Sequence, residues 1–171
     1  GHTRVYMLII KNKFAIGCLV QWYEIELIGE YLQSVKNALS IIDNKENVIV
    51  DLYFNMSTAL EDIDESKCSM SDIYSRFANI EDDLIKFGVN LKVQRLGGIM
   101  LSERDKIYTI ADYRRDFNNK YCTKVDVLMW GESDSLIPRQ TFEILDNLHS
   151  SVKETTPKYV SFFSTCKMWD K

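Results

Sequence analysis

The stretch FAIGCLVQWYEIELIGEYLQSVKNALSII, residues 14–42, changes its period part-way along. Residues 14–20 form a continuous apolar run, the pattern of a strand covered on both faces. From Ile28 onward the apolar residues fall three or four apart: Ile28, Tyr31, Leu32, Val35, Ala38, Leu39 and Ile42. That spacing gathers them on one side of a helix with 3.6 residues per turn. A buried strand running straight into an amphipathic helix is the first half of a β-α-β unit.

The same alternation continues outward. NVIVDLYF (47–54) reads as a second strand with NMSTA as its exit loop, and the acidic EDIDES follows. CSMSDIYSRFANIEDDLIKFG (68–88) reads as a helix with Met70, Ile73, Phe77, Ile80, Leu84 and Phe87 turned inward. Ser69 with Asp72 resembles a capping box, and Gly88 is placed to end the helix. VNLKVQRL (89–96) is a third strand. A helix is expected over roughly 103–121, on the spacing of Ile107, Ile110, Ala111, Phe117 and Tyr121. KVDVLMW (124–130) is the next strand. Pro138 suits the first turn of a helix that continues through Ile144, Leu145 and Leu148. KYVSFFST (158–165) closes the series as a last strand. This order predicts an α/β fold, a mostly parallel Rossmann-like sheet flanked by helices on both faces.

Composition bounds the rest. The chain has 171 residues, 46% of them hydrophobic, enough for one domain with a core that needs no disulfide staples. Residues 1–13 are expected to be an N-terminal extension in which Gly1-His2 is a tag remnant, and 14–171 the domain. The formal charge of −4 argues against a nucleic-acid-binding protein, which carries a basic stripe. Cys18, Cys68, Cys122 and Cys166 form no C-x-x-C pair, a pattern that suits a reducing, cytoplasmic compartment. No apolar run reaches membrane-spanning length.

Function hangs on DVLMWGESDSLIP, residues 126–138. It begins as an apolar strand and ends with two carboxylates, Glu132 and Asp134. Burying acids without partners is costly, so a metal ion or a ligand held through one would explain them. The competing reading is a solvated loop in which Asp134 or Ser135 caps the helix beginning near Pro138. Open parallel sheets bind ligands beyond the carboxyl ends of their strands. Three such exits carry polar residues: Gln21-Trp22-Tyr23-Glu24, Asn55-Met56-Ser57 and Glu132-Ser133-Asp134. No G-x-G-x-x-G or P-loop pattern is present. Trp22 and Tyr23 suit either base stacking or packing. His149 and the run Glu81-Asp82-Asp83 read as structural.

Taken together, these units resemble the nucleotide-binding half of type A (GT-A fold) glycosyltransferases, particularly the family 2-like ones. FAIGCLVQWYEIELIGEYLQSV looks like the family's opening unit. VIVDLYFNMST is similar to its second strand and polar exit, with Asn55 near the usual acid. IADYRRDFNNKY resembles the helix that supplies a basic residue, Arg114 or Arg115. MWGESDS looks like a Glu-x-Asp form of the family's Asp-x-Asp signature. The resemblance covers roughly 14–165 and implies a nucleotide-diphosphate sugar donor, Mg²⁺ or Mn²⁺, and an acceptor hydroxyl on a glycan, lipid or protein. It implies Asp134 as metal ligand, Glu132 at the ribose or the metal, Arg114 or Arg115 at the diphosphate, and Gln21, Tyr23, Glu24, Asn55 and Ser57 at the nucleotide. Family members continue into an acceptor-binding half, which is expected to be missing from a chain ending at Lys171; no general base is assigned. Two rivals stand beside this reading. A nucleotidyltransferase uses a similar sheet but wants a glycine-rich basic loop, which VQWYEIE is not. A non-catalytic, truncated binding module fits the short length.

Overall fold

The computed structural model describes residues 7–55, 70–96, 110–152 and 166–167. Four strands, β1 (Phe14–Gln21), β2 (Val48–Asn55), β3 (Asn90–Leu96) and β4 (Val127–Glu132), form one sheet in the order β3-β2-β1-β4. Every neighbouring pair is parallel. Helices α1 (Ile28–Leu39), α2 (Met70–Phe87), α3 (Ile110–Tyr121) and α4 (Thr141–Val152) flank it. The chain is therefore an α/β protein with a Rossmann-like parallel sheet, as its alternating periods predict.

The two faces of the sheet differ because successive side chains of a strand point opposite ways. Phe14, Ile16, Cys18 and Val20 of β1 join α1, α2 and α4 in one large apolar core. Ala15 and Leu19 face the other way, against Tyr113, Phe117 and Tyr121 of α3 and Tyr53 of β2. The chain thus crosses over on one face while the sheet grows from β1 to β3, then on the other face to reach β4. The direction of growth reverses between β1 and β4, which opens a crevice at their carboxyl ends.

Several details depart from the sequence reading. Phe87 is not in the core: it is 37% exposed, beside the Lys36 ammonium at 5.9 Å. Ile110 and Ala111 are exposed; α3 buries Phe117 and Tyr121 as expected, while in its first turn Asp112 and Tyr113 take the inward places. The fourth strand starts at Val127 and runs through Glu132, so the first acid of the signature belongs to the strand itself. Helix α4 starts at Thr141, whose backbone N–H and hydroxyl both donate to the Pro138 carbonyl. Pro138 therefore precedes the helix. Ser135–Leu136 forms a short strand, β5, antiparallel to β6 (Cys166–Lys167). Neither Asp134 nor Ser135 is at a helix start, which removes the capping explanation for both. Gly88 has φ of 91° and ends α2 as expected. Ser69, Ile107 and the strand expected over 158–165 lie outside the described residues. Among the described residues, no helix is long and apolar enough to cross a membrane.

Candidate functional site

At the crevice, β1 ends at Gln21 and turns at once into a short 3₁₀ helix, Trp22–Glu24. Trp22 plugs the apolar core at 1% exposure, so of the two aromatics only Tyr23, 40% exposed, reaches the surface. Next to it β4 ends at Glu132, level with Leu19 of β1, and Ser133 and Asp134 turn away into β5. The Ser133 hydroxyl donates to the Glu24 carboxylate at 3.0 Å, which ties the two exit loops together.

A cavity of about 540 Å³ lies between these loops and the amino end of α3. Gln21, Tyr23 and Glu24 line one side, and Glu132, Ser133 and Asp134 another; Tyr113 and Arg114 complete it from α3. Two of the three polar exits thus share one cavity. Asn55 stands beside them but points its amide at Gln21, donating to the side-chain oxygen at 2.9 Å. It is 1% exposed and does not line the cavity; its evident effect is to orient Gln21. Ser57 lies outside the described residues.

The two arginines separate cleanly. Arg114 turns to the cavity, 3.8 Å from the Glu132 carboxylate and 5.5 Å from the Trp130 ring. Arg115, one residue on, points elsewhere and pairs with Asp112 at 2.6 Å. A helix step of about 100° separates consecutive side chains, so only one of the pair can face β4.

The charge at this end is concentrated. Burial is the main reason the Cys18 thiol is pushed far above its ordinary value, and the carboxylates of Glu24, Glu132 and Asp134 push it the same way. Three acids therefore act on one point beneath the strand ends. Among the described residues, no three His, Cys, Asp or Glu side chains are gathered closely enough to hold a metal ion by themselves. The donor set suits a hard cation that takes one or two protein carboxylates and completes its shell with phosphate and water. An all-protein cage is not what these residues build.

Glycines let the helices close on the crevice. A Cβ on Gly131 of β4 would fall on the Tyr31 hydroxyl of α1, and one on Gly17 of β1 would fall on the Tyr113 hydroxyl of α3. The two tyrosines press on adjacent strands from opposite faces, fixing α1 and α3 close to the sheet. The Tyr113 hydroxyl is buried without a hydrogen-bond partner among the described residues.

Sequence reasoning did not place Trp130, Ile110, Leu27 or Tyr113 at the site, where they line the cavity wall. One signal was available for Trp130: it stands two residues before Glu132 and so shares its side of β4. No known protein family's model matches this chain, and no curated protein does.

Proposed function

We propose that this chain is the nucleotide-binding part of a glycosyltransferase, taking a nucleotide-diphosphate sugar with a divalent cation and passing the sugar to an acceptor hydroxyl. The observation that carries the reading is the convergence of Gln21–Glu24, Arg114 and Glu132–Asp134 on one cavity at the switch point of a parallel sheet. A nucleoside diphosphate asks for such a mixture. Tyr23 offers a half-exposed ring to a base, and Gln21 an oriented amide. Arg114 offers a guanidinium, which matches diphosphate oxygens bidentately. Asp134 makes no hydrogen bond or ion pair with another described residue, so its carboxylate is available to a cation, with Glu132 beside it. Mg²⁺ or Mn²⁺ there would neutralise charge developing on the diphosphate as the sugar leaves.

The test is calorimetric titration of UDP, GDP, CDP and dTDP, with and without Mn²⁺. At least one diphosphate is expected to bind, and to need the metal. Asp134→Asn keeps the side chain's size and removes its charge. It should weaken the metal-dependent binding by about tenfold or more, as loss of a charge-assisted contact does. Equal affinity in the two proteins would refute the ligand role of Asp134, and no binding by any diphosphate would refute the donor reading.

A further inference from the structure

We propose that Arg114 holds the place of the cation in the metal-free protein. Its guanidinium neutralises Glu132 until a divalent ion takes over that carboxylate, and the released guanidinium then turns to the diphosphate. This rests on the donor reading above and deepens it, adding a built-in order in which the metal precedes the nucleotide.

The pair is built to be exchanged. The Arg114 and Glu132 side chains are 46% and 43% exposed, and their closest atoms are 3.8 Å apart. That is well beyond the ~2.8 Å of a charge-assisted hydrogen bond. Arg115, the next residue of the same helix, shows the contrast: it meets the largely buried Asp112 carboxylate at 2.6 Å. An exposed pair at the longer distance contributes little, so a divalent ion can displace it. The guanidinium also lies over the Trp130 ring, 5.5 Å from its centroid. Trp130 stands two residues before Glu132 and shares its side of β4. The ring therefore keeps Arg114 over the cavity once the carboxylate is taken.

The charge around the cavity sets the order. Among the described residues that line it, Glu24, Glu132 and Asp134 stand against the guanidinium of Arg114, three negative charges against one positive. The excess of two equals the charge of one Mg²⁺ or Mn²⁺, and it repels a diphosphate that arrives alone. A hard cation entering beside Asp134 takes Glu132 as its second carboxylate. The cation and the guanidinium then repel each other at short range, and the guanidinium, on its long stem, is the group that moves. It meets the diphosphate oxygens, which it fits bidentately. One side chain thus opposes the metal alone and favours the nucleotide once the metal is in.

The experiment uses the full chain, first with the metal alone. Mn²⁺ is titrated into wild type, Arg114→Ala, Arg114→Gln, Glu132→Gln and the double variant Arg114→Ala/Glu132→Gln. Free Mn²⁺ is read by electron paramagnetic resonance, with thermal melts on all five proteins. Both single Arg114 variants should bind Mn²⁺ about fivefold more tightly than wild type, the effect of removing an exposed competing pair. The gain should vanish in the Glu132→Gln background, where no carboxylate is left to compete for. At saturating Mn²⁺, the diphosphate that binds wild type should bind both Arg114 variants about tenfold more weakly. Unchanged or weaker Mn²⁺ binding by the Arg114 variants, or unchanged diphosphate affinity, overturns the proposal and leaves the donor reading standing. A gain that persists in the Glu132→Gln background reports repulsion at a distance rather than exchange at Glu132, and also overturns it. Tighter Mn²⁺ binding by the Arg114 variants while no diphosphate binds wild type supports the exchange at Glu132 and overturns the donor reading.

Discussion

The two ends of the sheet use similar residues to opposite ends. At the amino end, Asp146 of α4 is 4% exposed and its carboxylate accepts from the backbone N–H groups of Lys11 and Asn12 and from the Asn12 amide, at 2.8–3.0 Å. The Asn12 amide also reaches the Ser150 hydroxyl at 3.1 Å, and Asn44 exchanges hydrogen bonds with both backbone groups of Ile10. Asp126 accepts from the Lys13 N–H at 2.9 Å. These acids and amides hold the entrance to β1 against α4 and the start of β4. At the carboxyl end Glu24 has a serine, Glu132 a long ion pair with an exposed arginine, and Asp134 no such partner among the described residues. Saturated polar groups at one end stabilise the chain, whereas at the other Glu24, Glu132 and Asp134 line a cavity.

The largest effect expected from breaking this contrast is at the amino end. Asp146→Ala should cost about 3 kcal/mol, because it strands buried donors on Asn12 and a part-buried one on Lys11. The urea midpoint should fall accordingly, while nucleotide affinity below the melting temperature is retained. Asp134→Asn, which removes a charge from the carboxyl end, should leave the same midpoint within about 0.5 kcal/mol of wild type. Comparable losses in both proteins would erase the distinction.

Next in size is Gly131→Ala. The carboxyl end is expected to tolerate changes of charge and to resist changes of shape, since the new Cβ meets the Tyr31 hydroxyl. Overpacking of this kind should cost about 2 kcal/mol, and it should weaken nucleotide binding as well by displacing Glu132. A thermal melt and a titration on the same sample would check both.

The smallest effect, absent at neutral pH, concerns the rings between the two ends. Burial pushes Tyr53 up to about 12, helped by Asp51 and Asp116. Burial also raises Tyr31, Tyr113 and Tyr121, the last with a hydrogen bond to Asp51. A tyrosine raised above its unfolded value of 10.0 contributes stability that is whole below pH 10 and is lost as pH rises through the folded value. Stability from this source should therefore hold up to pH 10 and fall between 10 and about 12. Phenolate absorbance from Tyr31, Tyr113 and Tyr121 should appear only together with unfolding; its appearance in a still-folded protein would contradict their burial.

The sequence by itself determined the alternation of strands and helices, because period and length are local properties that the apolar pattern records directly. It also located both acidic exit loops, since polar residues at the ends of apolar strands stand out in one dimension. It placed Phe117 and Tyr121 on the buried side of α3 but misjudged the first turn, where Ile110 and Ala111 are exposed and Tyr113 is not. Twelve helical residues with mixed polarity fit more than one face, and only packing against Ala15 and Leu19 selects among them. It offered Arg114 and Arg115 as equals. Only the tertiary structure, by setting the rotation of α3 over β4, turned one to Glu132 and the other to Asp112. Strand order decided the rest. Placing β4 next to β1 brings residues more than a hundred positions apart, Glu24 and Ser133, within a hydrogen bond of each other. Such a juxtaposition depends on which strands pair, and local patterning carries no record of that.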